Sequence, residues 1–169
     1  MSKKARSIIG NNVRQIRKAL GLSLLDFSIL CELSKASIVN IEAGRNGYNL
    51  NLLDNIVSFT RFSLKELSDE SFKPGASLRD NLIKHYKSNH QFFAILSSKP
   101  NIVYAIKHKI LGGTFLDQPK EIKEIKAYLD GFGWDYKNVS ISVALKRMDS
   151  LIDIQLHPTK KGTSIYSRK

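Results

Sequence analysis

The stretch LSLLDFSILCELSKASIVNIEAG, residues 22–44, decides the fold of the amino-terminal part of this chain. Ser23 and Asp26 form a capping pattern that begins one helix, and Ser34 is placed to cap a second helix that closes at Gly44. Apolar residues recur at helical spacing on the inner faces of both helices: Phe27, Leu30, Cys31, Ile38 and Ile41. The stretch therefore predicts two short helices joined by a tight corner, which Leu33 packs.

Three further helices are predicted around this pair. One precedes it and ends at Gly21, and two follow it. Their apolar positions are Ile9, Val13, Ile16 and Leu20, then Leu50, Leu53, Ile56, Val57 and Phe59, and finally Leu64 and Leu67. Ser63 and Glu66 form a capping box that begins the last of them. We therefore expect five short helices around one small core.

Residues 7–68 resemble the Cro/repressor-type (XRE-like) helix-turn-helix DNA-binding domain. The two helices of residues 22–44 carry this resemblance, together with Arg17, Gly21 and the run Ile41-Glu42-Ala43-Gly44. The resemblance implies a five-helix, lambda-repressor-like fold and an ion pair between Arg17 and Glu42. The family usually has a glycine in the corner where this chain has Glu32, so we expect a non-glycine residue in the left-handed region there, at a cost of about 1 kcal/mol or more.

The second helix of the pair is expected to enter the major groove of double-stranded DNA. Because Ile38 and Ile41 face inward, the expected base contacts are Lys35, Ala36, Ser37, Val39 and Asn40. Asn40 is suited to pair bidentately with adenine. The expected phosphate contacts are Lys3, Lys4, Arg6, Arg14, Ser23 and Arg45, the first three as a flexible amino-terminal arm. The family usually has a polar residue where this chain has Leu24, so no phosphate clamp is expected from that position.

Residues 71–98 are predicted to be a linker and a connecting helix. The run SFKPGAS, residues 71–77, combines proline, glycine and small polar residues. Ser77 to Asp80 has the pattern of another capping box, and one long helix, or two joined near Asn89, should follow. We expect this segment to connect two domains, residues 1–70 and 99–169.

Residues 99–169 resemble a winged helix, an α+β fold with a small β-hairpin. The pattern is a helix ending at Gly112-Gly113, a short strand TFL at 114–116, two helices, and a hairpin of IDIQL at 152–156 and SIYS at 164–167. The resemblance implies a second DNA contact from the third helix and the hairpin tip, through Ser142, Lys146, Arg147, Lys160 and Lys161. Winged helices also serve in dimerisation, and both roles stay open.

Composition favours a polyanionic partner. The 169 residues carry a formal net charge of +12, and 42% of them are hydrophobic, enough for packed cores. Residues 1–70 contribute +3 of this charge, from ten Lys/Arg and seven Asp/Glu, and residues 71–169 contribute +9. Most of the basic excess therefore lies outside the helix-turn-helix segment, and nucleic acid is the first partner to consider.

Other classes of function are not expected. The sequence has no glycine-rich phosphate loop, no nucleophile with an evident base and no paired carboxylates in an apolar setting, so it predicts neither an enzyme nor a cofactor. The four histidines are scattered, which predicts no metal site. A single cysteine, Cys31, is expected in the core of a cytoplasmic protein. No apolar run has transmembrane or signal-peptide length, so neither a membrane partner nor export is expected.

These patterns together predict a sequence-specific transcriptional regulator, a repressor that binds DNA as a homodimer. Its half-sites should lie about one helical turn, roughly 34 Å, apart. Two alternatives stay open: a protein-interaction or antitoxin-like module with the same fold, and a plasmid-type replication initiator. Exposure of both Leu24 and Leu25 would favour the interaction module. The sequence identifies no small-molecule effector.

Overall fold

The computed structural model of the chain describes residues 2–45 and 49–169. It divides into two compact units, the first ending at Ser98 and the second spanning Lys99–Lys169, and each has its own hydrophobic core. The structure is mainly helical and contains a three-stranded antiparallel sheet. Within the described ranges, no helix combines the length and the apolar character needed to cross a membrane.

The first unit consists of helices. They are α1 Lys3–Ala19, α2 Leu24–Leu30, α3 Lys35–Glu42, α4 Leu50–Thr60, α5 Leu64–Leu67, α6 Leu78–His85 and α7 His90–Ser97. Each of α1 to α5 follows a serine or asparagine whose side chain accepts a hydrogen bond from a backbone N–H of the first turn. These caps satisfy donors that a helix start leaves unpaired. The capping box of Ser63 and Glu66 is complete, as the sequence predicted.

The core of the first unit joins all of its helices. Its fully buried residues include Val13, Ile16, Leu20, Phe27, Ile38, Ile41, Leu53, Ile56 and Leu67. Glu32 occupies the predicted left-handed conformation in the corner between α2 and α3, with φ 53°. Gly10 lies where α1 meets the end of α3, since a Cβ atom there would lie 2.3 Å from the carbonyl oxygen of Ile41. The two helices are therefore in backbone contact.

Residues 71–98 are part of the first unit, which corrects the predicted linker. Leu78, Leu82 and Leu96 are buried in the same core as α1 to α5. The buried guanidinium of Arg79 donates hydrogen bonds to the carbonyl oxygens of Leu20 and Ser98. The predicted capping box at residues 77–80 is also wrong, because the backbone before α6 is not extended and no side chain caps the helix.

The second unit has the element order helix, strand, helix, helix, strand, strand. Its elements are α8 Ile102–Ala105, continued by a π-helical turn Ile106–Ile110, then β1 Lys120–Glu121, α9 Ile122–Asp130, α10 Asn138–Lys146, β2 Ile152–Leu156 and β3 Ser164–Arg168. The strand order is β1-β3-β2, and Tyr166 of β3 lies opposite Lys120 on one side and Ile154 on the other. Both helices of the middle pair contribute fully buried residues to the core: Ile125, Leu129, Ile141 and Leu145.

The first strand of this sheet lies later in the chain than predicted. Residues 114–116 form a turn, and β1 pairs with β3 only at Lys120 and Glu121. Leu116 is fully buried, and its carbonyl oxygen accepts one hydrogen bond, of 2.8 Å, from the backbone N–H of Arg168. Burial of this leucine therefore explains the apolar pattern that resembled a strand.

Candidate nucleic-acid interface

The five residues expected to contact bases all lie on α3, and none of them is buried. Lys35 and Ala36 are exposed, whereas Ser37, Val39 and Asn40 are half-buried. The opposite side of α3 is held in the core by Ile38 and Ile41. The helix therefore has one face for the fold and another that is open to a ligand.

Two of these side chains already have hydrogen-bond partners. The hydroxyl of Ser37 lies 2.8 Å from that of Ser34, which also accepts the backbone N–H of Ser37 at 3.0 Å. Asn40 Oδ1 accepts a hydrogen bond of 3.3 Å from the guanidinium of Arg45. The amide N–H groups of Asn40 are not used in this contact, so the side chain keeps its donors for a ligand.

An ion pair fixes the end of α3 to α1. Arg17 Nε donates to Glu42 Oε1 at 2.6 Å, and the Arg17 NH2 group donates to Oε2 at 2.9 Å. The Glu42 side chain is only 4% exposed. Arg14 adds a longer contact to Oε2, at 3.4 Å, and donates to the backbone oxygen of Glu42 at 3.3 Å. This is the pair that the resemblance implied, and its bidentate geometry orients α3 rigidly.

A groove of about 440 Å³ lies beside the exposed face of α3. Arg14, Lys18 and Arg45 line it, next to Leu24 and Val39. The carboxylate of Glu42 at its base is already paired with Arg17, so the three cationic side chains give the groove a positive potential.

Lys18 is a residue of this groove that the sequence interpretation missed. Lys18 lies one turn after Arg14 on α1, opposite the apolar stripe of that helix. An i, i+4 pair of basic residues on an outward face was therefore a usable signal.

The predicted flexible arm is wrong. Lys3, Lys4 and Arg6 belong to the first two turns of α1, because Ser2 caps the helix by accepting the backbone N–H of Ala5. Lys4 also forms an exposed ion pair of 2.7 Å with Glu70, which raises the pKa of the lysine. These cations are therefore held on a helix and do not follow a groove as an extended chain would.

Ser23 is also occupied. Its hydroxyl donates to Asp26 Oδ2 at 2.7 Å and accepts the backbone N–H of Asp26 at 3.0 Å. A phosphate would have to compete with this carboxylate for the Ser23 hydroxyl.

The second unit brings three of its five expected DNA-contacting residues into one groove of about 550 Å³. Ser142 and Lys146 of α10 line this groove together with Lys160 of the hairpin tip, whereas Arg147 and Lys161 do not. Lys160 forms an ion pair with Glu121, which also lies 3.5 Å from His157 Nε2. Lys160 is therefore partly neutralised.

Three further details describe this second groove. The hydrogen bond from Lys160 holds the pKa of the Glu121 carboxyl below its ordinary value. Lys123 lines the groove as well, although the sequence interpretation did not select it. The hydroxyl of Ser142 lies 3.3 Å from that of Tyr166, so Ser142 is tied to β3.

Comparisons with protein-family models, curated proteins and solved structures found no match. In the described part of the chain, no group of three or more His, Cys, Asp or Glu side chains is placed to hold a metal ion. Cys31 is buried in the first core, and burial raises the pKa of its thiol. The two basic grooves and the open face of α3 make up the candidate nucleic-acid interface.

Proposed function

We propose that this chain is a sequence-specific DNA-binding transcriptional regulator that acts as a repressor and as a homodimer. In this proposal α1 to α5 form a Cro/repressor-type domain, α2 and α3 are its helix-turn-helix, and α3 enters the major groove. One observation carries the proposal. The open face of α3 lies beside a groove lined by Arg14, Lys18 and Arg45, so a base-reading surface and a phosphate-binding surface adjoin each other.

The two surfaces would have different roles. Cationic side chains in the groove would neutralise backbone phosphates and supply affinity without sequence preference. Asn40 would pair with adenine, Lys35 would donate to guanine or to a phosphate, and Val39 or Ala36 would contact a thymine methyl group. The contact between Asn40 and Arg45 is consistent with separate roles in base reading and phosphate binding, because Arg45 can turn to a phosphate when Asn40 binds a base.

The second unit is proposed to be a winged helix that adds to the DNA contact. Its element order of helix, strand, helix, helix and hairpin, with an antiparallel three-stranded sheet, supports this proposal. Lys123 and Lys146 line its groove beside the hairpin, and Lys161 is exposed at the hairpin tip. These cations are suited to phosphates, so the second unit would extend the footprint mainly through the backbone.

Selection of preferred sites from a random DNA pool, followed by gel-shift titration, tests the proposal. A homodimer should select a pseudo-palindrome whose half-sites are centred about 10 base pairs apart. Asn40→Ala should weaken binding to the selected site by about 1–3 kcal/mol and relax the preference at one base position. Lys161→Ala should weaken binding to all sequences alike, and Asn11→Ala, an exposed asparagine on α1, is the matched control.

Two results would contradict the proposal. One is a pool that shows no enrichment. The other is an Asn40→Ala variant that loses affinity for random and selected DNA equally, because base reading would then not come from α3.

One observation favours a second candidate, a protein-interaction module. The exposure of both Leu24 and Leu25, which would have favoured this module, is not found, because Leu24 is half-buried. Leu25 and Ile29, one turn apart on α2, are instead 55% and 37% exposed. An exposed apolar pair on a short helix suits a protein partner better than a phosphate. A Leu25→Asp, Ile29→Asp variant should keep its DNA affinity if the chain is a regulator, and an unenriched DNA pool would favour the interaction module.

A further inference from the structure

An apolar groove lies on the second unit, on the side of α10 away from the hairpin. We call it the valine groove. Its walls are Val103 of α8 and Val139 and Val143 of α10, which are 45%, 73% and 41% exposed. Buried Ala144 and Met148 form part of its floor. The groove has a volume of about 500 Å³ and shares no lining residue with the basic groove of the second unit, although it includes Arg147, one of the five residues expected to contact DNA.

Two cationic side chains stand at the rim of this groove. Lys107, in the π-helical turn, and Arg147, just after α10, both line it and are exposed. Neither forms an ion pair with another residue of the ranges 2–45 and 49–169. A ligand complementary to this groove has apolar groups against its floor and acidic groups beside the two uncompensated positive charges.

We propose that the valine groove binds an amphipathic helix of a protein partner, with apolar residues against the valines and Asp or Glu residues against Lys107 and Arg147. The groove runs along α10 from Val139 to Arg147, about 12 Å at the rise of an α-helix. A partner helix of two to three turns fills that length, and apolar residues at i, i+3 or i+4, and i+7 would face the groove.

Other occupants fit the groove less well. Nucleic acid offers phosphates, and three exposed valines give phosphates no hydrogen bonds. A second copy of the chain, bound face to face, would bring the two sets of Lys107 and Arg147 into one patch of like charge. A drug-sized ligand usually has most of its surface enclosed, whereas three valines remain open here. Charge complementarity therefore selects an acidic helical partner.

The test is selection from a phage-displayed pool of 15-residue helical peptides with the full chain as bait. Selected peptides should carry the apolar spacing given above with acidic residues beside it. Val143→Asp should weaken the binding of a selected peptide about tenfold or more. The matched control is Leu156→Asp, which changes an apolar residue that is 78% exposed and lies outside the groove, and it should leave affinity unchanged.

Charge reversal separates recognition at the groove from general attraction to a basic protein. With Lys107→Glu and Arg147→Glu together, the pool should select peptides with basic flanks. Lys123→Glu and Lys161→Glu together change the net charge equally and should still select acidic flanks. Asn40→Ala should bind the selected peptides like the unchanged chain, so the result does not depend on the DNA-binding proposal.

Several outcomes would overturn this inference. A peptide pool without enrichment, or selected peptides that bind Val143→Asp as well as the unchanged chain, would show that the groove is not the binding site. If both double variants select basic flanks, the preference follows net charge and not the groove. Self-association of the chain that Val143→Asp abolishes would show that a second copy occupies the groove. Trp134 fluorescence verifies that each variant keeps the second unit folded, since Trp134 is the only tryptophan of the chain. Val139→Asp, at the more exposed wall position, replaces Val143→Asp if the latter unfolds.

Discussion

Removal of the Glu42 carboxylate is the perturbation that most directly tests how α3 is held. In Glu42→Ala the guanidinium of Arg17 loses two hydrogen bonds, of 2.6 and 2.9 Å, and its opposite charge. The Arg17 side chain is only 14% exposed, so water cannot fully replace the carboxylate. We therefore expect α3 to lose its ion pair with α1, while the half-buried guanidinium of Arg17 keeps an uncompensated charge.

The expected loss in the free energy of unfolding of the first unit is about 3–5 kcal/mol, the usual cost of removing one partner from a buried ion pair. Arg14 should add little to this figure, because its contact to the carboxylate is 3.4 Å and its side chain is 46% exposed. A typical domain has about 5–15 kcal/mol of stability in total. The variant should therefore be partly unfolded at moderate temperature.

Two further variants should show whether burial, rather than charge pairing as such, causes the loss. Arg17→Met with Glu42→Leu should recover most of the stability, since an apolar pair needs no compensation. Glu70→Ala removes an ion pair of similar length, 2.7 Å to Lys4, but that carboxylate is 61% exposed. This control should have no measurable effect on stability, because exposed pairs are screened by water.

Hydrogen exchange of the slowest backbone amides of α1 and α3, followed by mass spectrometry on the full chain, measures the loss. The unfolding of the second unit is followed separately through Trp134 and should not change. The reasoning would be refuted if Glu42→Ala lost less than about 1 kcal/mol, or if Glu70→Ala lost as much as Glu42→Ala.

Two other substitutions have outcomes that can be predicted from the structure, one in stability and one in DNA affinity. Gly10→Ala should gain about 1 kcal/mol in helix propensity, but its Cβ would lie 2.3 Å from the Ile41 carbonyl oxygen. Because of this overpacking, we expect thermal unfolding to show a net loss of about 1–2 kcal/mol in stability. Gly75→Ala, whose Cβ would have no neighbouring atom within 4 Å, is the control, and a stabilised Gly10→Ala would contradict the contact. Under the proposed function, Glu121→Gln should release Lys160 and raise the affinity for DNA of any sequence, with a steeper salt dependence in gel-shift titrations. An unchanged salt slope would contradict this role of Lys160. Because Lys160 lowers the pKa of Glu121, the ion pair is complete above the ordinary carboxylate range and is lost as the pH falls through the lowered pKa. Glu121→Gln and the unchanged chain should therefore have more similar DNA affinities in acid.

The helices of the first unit could be predicted because their signals are local. Apolar residues at helical spacing predicted α1 to α5, and serine caps predicted the starts of α2, α3 and α5. The caps at Ser2 and Asn49 are equally local but were not predicted, so a flexible arm was expected in place of the first turn of α1. Glu32 could be expected in the left-handed region because the family that residues 7–68 resemble usually has glycine at this corner, and glycine indicates a positive φ there. Local pattern was therefore sufficient wherever neighbouring residues decide the structure.

The prediction of two helices joined near Asn89 is confirmed by α6 and α7, but the packing of residues 71–98 into the first unit could not be predicted because it depends on distant partners. The spacing of Leu78 and Leu82 predicts an apolar helix face, but not which surface covers it. Buried Arg79 reaches the carbonyl oxygen of Leu20, 59 residues earlier in the chain. Such a contact has no signature in the sequence around either residue.

The placement of the domain boundary also changes the charge argument. With a boundary after residue 70, most of the basic excess seems to lie in the second part of the chain. The structural division gives 14 Lys/Arg and eight Asp/Glu in residues 1–98, and 13 and seven in residues 99–169, so each unit carries +6. Net charge therefore does not distinguish the two units, and the arrangement of individual cations does.

That arrangement differs between the two basic grooves. In the first groove Glu42, the acidic residue among the described lining residues, is buried and paired mainly with Arg17. Lys18 and Arg45 can turn to phosphates, and Arg14 can do so by giving up its longer contact of 3.4 Å to Glu42. In the second groove Lys160 is paired with the half-exposed Glu121, so Lys123 and Lys146 are the cations that remain for phosphates. Under the proposed function the first groove would neutralise more phosphates than the second, and each phosphate contributes about 0.9 to the slope of log affinity against log salt. The first unit would therefore supply both the base reading and the larger part of the salt-dependent affinity.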